Sequence, residues 1–193
     1  MSPRAYYYLM ATLPELGFDR APPISSQDFL ERCAEHLPAR SYGLLAETGL
    51  SEGPAAVRAR LVVHGIWYPW ERTLRQELAR LRARRLDGEL ARSELPSGPE
   101  APPAGAAEVA MRVMRLDSPR GAEDELDRAR WDFLERLEFG RYFTLERLVV
   151  YLLKLRILER RAVFDATRGR ERLRVFTARS RATARAAIAA VPG

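Results

Sequence analysis

Residues 124–161 read DELDRARWDFLERLEFGRYFTLERLVVYLLKLRILERR, and this stretch decides the fold. Up to Gly140 the apolar residues recur every three or four positions, a period that predicts a helix with one buried face. Gly140 suits a left-handed helix end, and Thr144 suits the first cap of a second helix. That second helix is apolar on almost every side, so other helices or a partner protein must surround it. The stretch therefore predicts two antiparallel helices joined by a tight aromatic turn at residues 140–143.

The hairpin also predicts which side chains meet. With the turn at residues 140–143, antiparallel pairing places Trp131 near Lys154. The same pairing brings two acidic residues of the first helix close to two arginines at the end of the second: Asp124, Asp127, Arg160 and Arg161. We expect an ion pair between these groups, with a contribution of about 0–1 kcal/mol if it is exposed.

Most of the remaining chain has a helical period as well. Ser25 followed by Asp28 resembles a capping box at a helix start, and Ser118 before a proline marks another start. Residues 5–13 fit either a short buried strand or a buried helix, because periodicity does not separate the two over so short a run. We therefore predict an all-α fold, a multi-helix bundle with a C-terminal antiparallel helical hairpin, and leave a short N-terminal strand open.

Pro69 predicts a break or kink, because proline in a helix interior removes a hydrogen bond and clashes with the preceding turn. A separate helix is expected over residues 70–86, with a favourable pair between Glu71 and Arg75 on its outer side. The sequence WYPW at residues 67–70 either plugs the core at this bend or forms an exposed anchor for a partner. We favour the plug.

A proline- and glycine-rich segment, SELPSGPEAPPAG at residues 93–105, predicts a linker. It divides the chain into an N-terminal helical part, residues 1–92, and a C-terminal helical part with a basic tail, residues 106–193.

The 193 residues carry a net charge of +6, and the sequence pI is about 10.0. A basic chain favours acidic partners, but acids are interleaved with the arginines through most of the chain. Because Lys154 is the only lysine and every other cation of this kind is arginine, we favour genome composition over selection for binding as the source of the basic charge. No stretch is apolar for the roughly 20 residues that a membrane crossing needs. The N-terminus lacks the pattern of a secretory signal, so a cytoplasmic location is expected.

No residues suggest catalysis. Cys33 stands alone in an amphipathic pattern, which favours a small buried side chain over a nucleophile. His36 and His64 lack partners at metal-ligand spacing, and no glycine-rich phosphate loop or nucleophile elbow is present. We therefore expect no catalytic, cofactor-binding or metal-binding residue, and no enzyme activity.

Three segments carry a family resemblance: YYYLMATLPEL at 6–16, PPISSQDFLERC at 22–33, and LDRARWDFLERLEFGRYFTLERLVVYLLKLRILER at 126–160. They resemble an uncharacterised bacterial family commonly encoded among V-type ATPase subunits. The last segment is more distantly similar to the C-subunit family of V/A-type ATPases, whose eukaryotic members are called d subunits. The residues that carry this motif are candidates for a partner interface: Asp127, Arg130, Trp131, Phe133, Tyr142, Lys154, Leu158 and Arg160.

The resemblance implies an all-helical, non-enzymatic connector. Proteins of the C-subunit family sit on the membrane rotor ring and receive the central shaft. The implied partners are therefore the shaft and ring subunits, with no small-molecule substrate and with membrane contact only through those partners. A cytoplasmic place, peripheral to the membrane, follows. The chain is much shorter than members of that family and cannot hold their three complete lobes, so it would be a subunit or an accessory factor.

Two other functions remain open. The arginine-rich segments LRARRL and TARSRATAR suggest a basic helical nucleic-acid-binding protein, although no recognition motif accompanies them and acids lie nearby. A helical enzyme is the least favoured interpretation.

Overall fold

The computed structural model describes residues 3–51, 61–87 and 105–163. Seven helices lie in these ranges: α1 (Pro3–Thr12), α2 (Ser26–His36), α3 (Ala39–Ala46), α4 (Val62–Asp87), α5 (Ala106–Met114), α6 (Pro119–Glu138) and α7 (Leu145–Val163). The described ranges contain no strand, which confirms the all-α prediction. The N-terminal segment whose type was left open forms helix α1.

Local capping sets the helix boundaries where the sequence predicted them. The Ser25 side chain accepts a hydrogen bond from the Asp28 amide, and the Asp28 carboxylate accepts one from the Ser25 amide, which completes the capping box. Ser118 caps α6 in a similar way through the amide of Gly121. Gly140 has a φ of +78°, so the left-handed position after α6 is taken by the residue type that adopts it without strain.

The prediction of a separate helix starting at residue 70 is wrong, because α4 runs continuously from Val62 to Asp87 and Pro69 does not break it. Proline in a helix interior costs about 3 kcal/mol. Burial of the neighbouring rings offsets this cost: the side chains of Trp67, Tyr68 and Trp70 are almost completely inaccessible to solvent. The WYPW segment is therefore a plug in the core, as favoured, but in an unbroken helix.

Helix α7 is the central element of the bundle. Eight consecutive residues, 148–155, are buried, so the helix is enclosed on all sides as its sequence predicted. Helices α2, α3, α4 and α6 contact it, and α5 packs against α4 and α6. The described parts on either side of the predicted linker contribute to one apolar core.

Two predictions lie outside the described residues. These are most of the linker at 93–105 and the basic tail beyond residue 163. Among the described residues, no helix combines the length and apolarity that crossing a membrane would require.

Candidate functional site

The hairpin of α6 and α7 aligns antiparallel as predicted. The Lys154 ammonium lies over the Trp131 ring, 4.9 Å from its centroid. At the other end of the pair, Arg160 pairs with Asp127, and the Arg161 guanidinium lies 3.0 Å from the Asp124 carboxylate. Both pairs belong to the set that the sequence predicted. The hairpin thus has an open end, where these charges lie, and a closed end at the turn.

A chain of ion pairs, buried at Glu71, Arg130 and Asp127 and partly exposed at Arg160, joins three helices near the open end. Arg130 of α6 donates from Nε and Nη2 to the two Glu71 oxygens of α4, at 3.0 and 2.8 Å. It also lies 3.3 Å from Asp127, which in turn accepts from Arg160 of α7. Because the fork of Arg130 matches the carboxylate in two bonds, the pair specifies the orientation of α4 against α6.

Glu71 lies in a different environment from the one that its sequence position predicted. It pairs with Arg75 at 2.8 Å as expected, but its side chain is buried and not on the outer face of α4. A buried carboxylate needs counter-charges because its removal from water is costly. The partner that meets this need, Arg130, lies 59 residues away in the sequence.

A groove of about 770 Å³ lies at the open end. Its lining includes four acids, Asp19, Glu123, Asp124 and Asp127, and four arginines, Arg20, Arg120, Arg160 and Arg161. The acids are largely matched by guanidiniums, so the groove has no strong preference for one sign of charge. Among the described residues, no cysteine, serine or histidine lines it, which leaves the described groove without a nucleophile of those types.

Phe18 is the one aromatic residue among the described residues that line this groove, and arginine covers its ring. The guanidinium carbons of Arg128 and Arg161 lie 3.7 and 3.9 Å from its ring centroid, and the Trp131 ring meets it edge-on at 5.6 Å. Guanidiniums over a ring are attracted by its negative face. Phe18 is consequently only 7% exposed despite its position at the groove.

Lys154 lies nearer the closed end and is buried. It pairs with Glu138 and lies 3.7 Å from Glu135. Burial lowers the pKa of its ammonium from 10.5 to about 8, and the neighbouring Glu135 opposes this effect. The one lysine of the chain is thus an internal group of the hairpin.

The closed end exposes aromatic rings. Phe139 is 82% exposed, Tyr142 60% and Phe143 51%, and the ring of Tyr7 from α1 lies 5.2 Å from that of Phe143. We call Tyr7, Phe139, Tyr142 and Phe143 the aromatic end. Exposed aromatic residues in a group are typical of protein interfaces, where Tyr and Phe are enriched.

The charges next to the aromatic end are engaged within the chain. Arg141 donates to Glu146 at 2.8 Å and to the Leu137 carbonyl at the end of α6. Arg147 pairs with Glu138. Since these groups satisfy one another, the surface that they leave for a partner is mainly apolar.

The eight motif residues differ in how far they are exposed to solvent. Buried side chains contact one another in the hairpin or the core: Asp127, Arg130, Trp131, Lys154 and Leu158. Phe133 is partly buried with its ring stacked on Trp70 at 4.2 Å, and Arg160 is partly exposed at the groove. Tyr142 alone of the eight lies on the open surface. Phe139, Phe143 and Tyr7 were not among the predicted residues. For Phe139 and Phe143, the concentration of aromatic residues at the turn was the available signal.

Cys33, His64 and His36 all contact other side chains of the chain or are buried in it. Cys33 is completely buried, and burial raises the pKa of its thiol to about 12, as fits a small core side chain. His64 is buried with a nitrogen 2.9 Å from the Thr48 hydroxyl, and the His36 ring packs edge-on against Tyr8 at 4.9 Å. In the part of the chain that the structure describes, no three metal-ligating side chains converge.

Comparison with known proteins gave one finding. The family described as "Protein of unknown function (DUF2764)" matches residues 108–179, a segment that contains the whole hairpin. Searches of curated proteins and of solved structures found no match.

Proposed function

We propose that this chain is a non-catalytic subunit or accessory connector of a V/A-type ATPase, which helps to couple the central shaft to the membrane rotor ring. Two observations support the proposal. One is the resemblance of residues 126–160 to the family encoded with V-type ATPase subunits and, more distantly, to the C-subunit family. The other is the aromatic end, whose exposed rings suit a protein partner.

The aromatic end is the observation that carries the proposal of a binding protein. A rigid connector needs a stiff body with an exposed contact surface. The enclosed helix α7 and the buried pairs between Glu71, Arg130 and Asp127 suit such a body. The rings of Phe139 and Tyr142 suit the contact.

The experiment is affinity capture of the tagged full-length chain from its source organism, with mass spectrometry of the bound proteins. The proposal expects the catalytic, shaft and ring subunits of the ATPase together. The double variant Phe139→Ser/Tyr142→Ser should lose most of this capture, because interface aromatic residues carry a large share of binding energy, about 2 kcal/mol or more at hot spots.

Val163→Ser is the matched control, since Val163 is 51% exposed at the opposite end of α7. It should bind as the unmodified chain does. Capture of nucleic acid without ATPase subunits would contradict the proposal and favour a basic nucleic-acid-binding protein. Equal capture by the double variant and the control would show that the aromatic end is not the contact surface.

A further inference from the structure

A second surface lies away from the hairpin turn, between the end of α4 and the junction of α5 with α6. It is a hollow of about 280 Å³ lined by Arg82, Arg85, Val113, Met114, Leu116 and Ala122. We call these residues the basic hollow.

The floor of the basic hollow is apolar. Val113 is buried and Met114 is partly buried, while Leu116 is 42% exposed. Met111, one turn before Met114 on α5, is also exposed. Methionine side chains adapt to differently shaped partners and are common at binding surfaces for helices.

The rim of the basic hollow carries cations that lack a counter-charge among the described residues. Arg82 and Arg85 are exposed and form no ion pair with any described residue, and the same is true of their neighbours Arg84 and Arg115. Other arginines, such as Arg128, Arg130 and Arg161, are paired with acids. Arg82 and Arg85 therefore add two positive charges, neither in an ion pair with a described residue, to the lining of one apolar hollow.

We propose that the basic hollow docks an acidic amphipathic helix of a partner protein. Apolar side chains of such a helix would enter between Leu116 and Met114, and its carboxylates would reach Arg82 and Arg85. This combination of an apolar floor and a charged rim is that of helix-in-groove recognition, with the rim setting the partner's sign of charge.

Nucleic acid fits the same surface less well. Single strands bind on aromatic rings and duplexes on phosphate contacts, yet no aromatic residue of the described chain lines the hollow. Its apolar floor would add nothing to phosphate binding. The hollow is a different surface from the aromatic end, and its partner is identified by chemistry alone, so docking here is independent of the proposed ATPase function.

The test uses a fluorescein-labelled designed peptide, helical and amphipathic, with leucines on one face and glutamates on the other. Binding to the full-length chain is measured by fluorescence anisotropy. Two matched peptides are compared: one with glutamine in place of each glutamate, and one with serine in place of each leucine. Only the unmodified peptide should bind tightly, and its affinity should fall as salt rises.

Variants of the chain assign the binding to the basic hollow. Arg82→Glu/Arg85→Glu should weaken binding about tenfold or more, equivalent to about 1.4 kcal/mol. Leu116→Ser should weaken it about threefold to tenfold. The matched charge reversal Arg32→Glu/Arg40→Glu, at two arginines exposed elsewhere, should change it less than about twofold at the same salt concentration. Thermal melts check that each variant is folded.

Four outcomes would overturn the proposal: no binding of the acidic peptide, equal binding of the serine peptide, equal losses from the two charge reversals, or tighter binding of random duplex DNA or anionic vesicles with the same dependence on Arg82 and Arg85. Phe139→Ser/Tyr142→Ser should leave peptide binding unchanged, which separates this surface from the aromatic end.

Discussion

The two ends of the hairpin differ in how far their aromatic rings are exposed to solvent. At the open end, Phe18 is covered by the guanidiniums of Arg128 and Arg161 and is 7% exposed. At the closed end, Phe139 and Tyr142 are 82% and 60% exposed. Both ends contain aromatic residues, arginines and acids, so composition does not explain the contrast.

The difference comes from where the arginines are directed. Arg128 and Arg161 lie on two helices that converge on Phe18, so each can cover the ring while it pairs with an acid, Asp19 or Asp124. Arg141 at the turn instead bonds the Leu137 carbonyl of α6 and the Glu146 carboxylate. Arginine that satisfies a helix end is not available to cover a ring, and the closed end therefore keeps an aromatic surface for a partner.

The largest expected effect on stability comes from the buried ion pairs near the open end. Arg130→Ala should lower the free energy of unfolding by about 3–5 kcal/mol, because it leaves Glu71 charged and buried without its bidentate partner. Chemical denaturation measures this change. The double variant Glu71→Leu/Arg130→Met should recover much of the loss, since no uncompensated charge remains at Glu71. Equal losses in both variants would show that packing, and not charge, holds α4 against α6.

The next effect tests the core that both ends share. Leu152→Ala and Leu155→Ala should each cost about 2–5 kcal/mol, because both side chains are completely buried in α7. Thermal and denaturant unfolding report the loss, and Val163→Ala, at an exposed position of the same helix, is the control. Melts unchanged by both leucine variants would show that α7 is not the core of the protein.

Lys154, in the half of the hairpin near the closed end, makes the stability of the fold depend on pH. Its pKa falls to about 8 on folding, so between pH 8 and 10.5 the unfolded chain binds more protons and stability rises with pH. Below pH 8 Lys154 is protonated in both the folded and the unfolded chain, so its contribution to stability does not change with pH. From pH 8 to 9 we expect the free energy of unfolding to rise by about 1 kcal/mol more in the unmodified chain than in Lys154→Met.

Measuring between pH 8 and 9 limits the influence of groups whose titration lowers the stability of the fold as pH rises. Burial raises the pKa values of Cys33 and Tyr151 to about 12, so each makes the fold less stable as pH rises past its ordinary value of 9.0 or 10.0. Denaturation at closely spaced pH values, for the chain and for Lys154→Met, measures the difference. Parallel curves would show that Lys154 does not titrate in this range.

The smallest effect sharpens the contrast between buried and exposed charges at the open end. A double-mutant cycle with Asp124→Asn and Arg161→Gln should give a coupling of about 0–1 kcal/mol, because the Asp124 side chain is 53% exposed to water. A coupling above about 2 kcal/mol would mean that this pair, like Arg130 with Glu71, contributes substantially to the fold.

Local signals predicted the elements of the fold well and their partners less well. The capping box at Ser25, the glycine end at Gly140 and the antiparallel register of Trp131 with Lys154 all follow from short-range spacing, and the structure confirms them. The prediction of a separate helix starting at residue 70 was wrong, because burial of the surrounding rings exceeds a local penalty that the sequence alone displays.

The candidate site was less predictable for the same reason. Glu71 has an ordinary helix-surface spacing with Arg75, and its burial depends on an arginine of another helix. Spacing of three or four residues describes contacts within one helix, but it contains no information about the helix that packs across from it. Arg82 and Arg85 likewise look no different in sequence from arginines that are paired.

The sequence by itself determined the hairpin, the enclosed helix α7 and the helix ends, because the period of apolar residues and the conformations of glycine, serine and proline act within a few residues. Only the tertiary structure decided which charged side chains form ion pairs and which aromatic rings remain exposed to solvent. Those outcomes depend on distances between side chains far apart in the chain, such as Arg130 to Glu71 and Arg128 to Phe18, and these distances exist only once the helices pack.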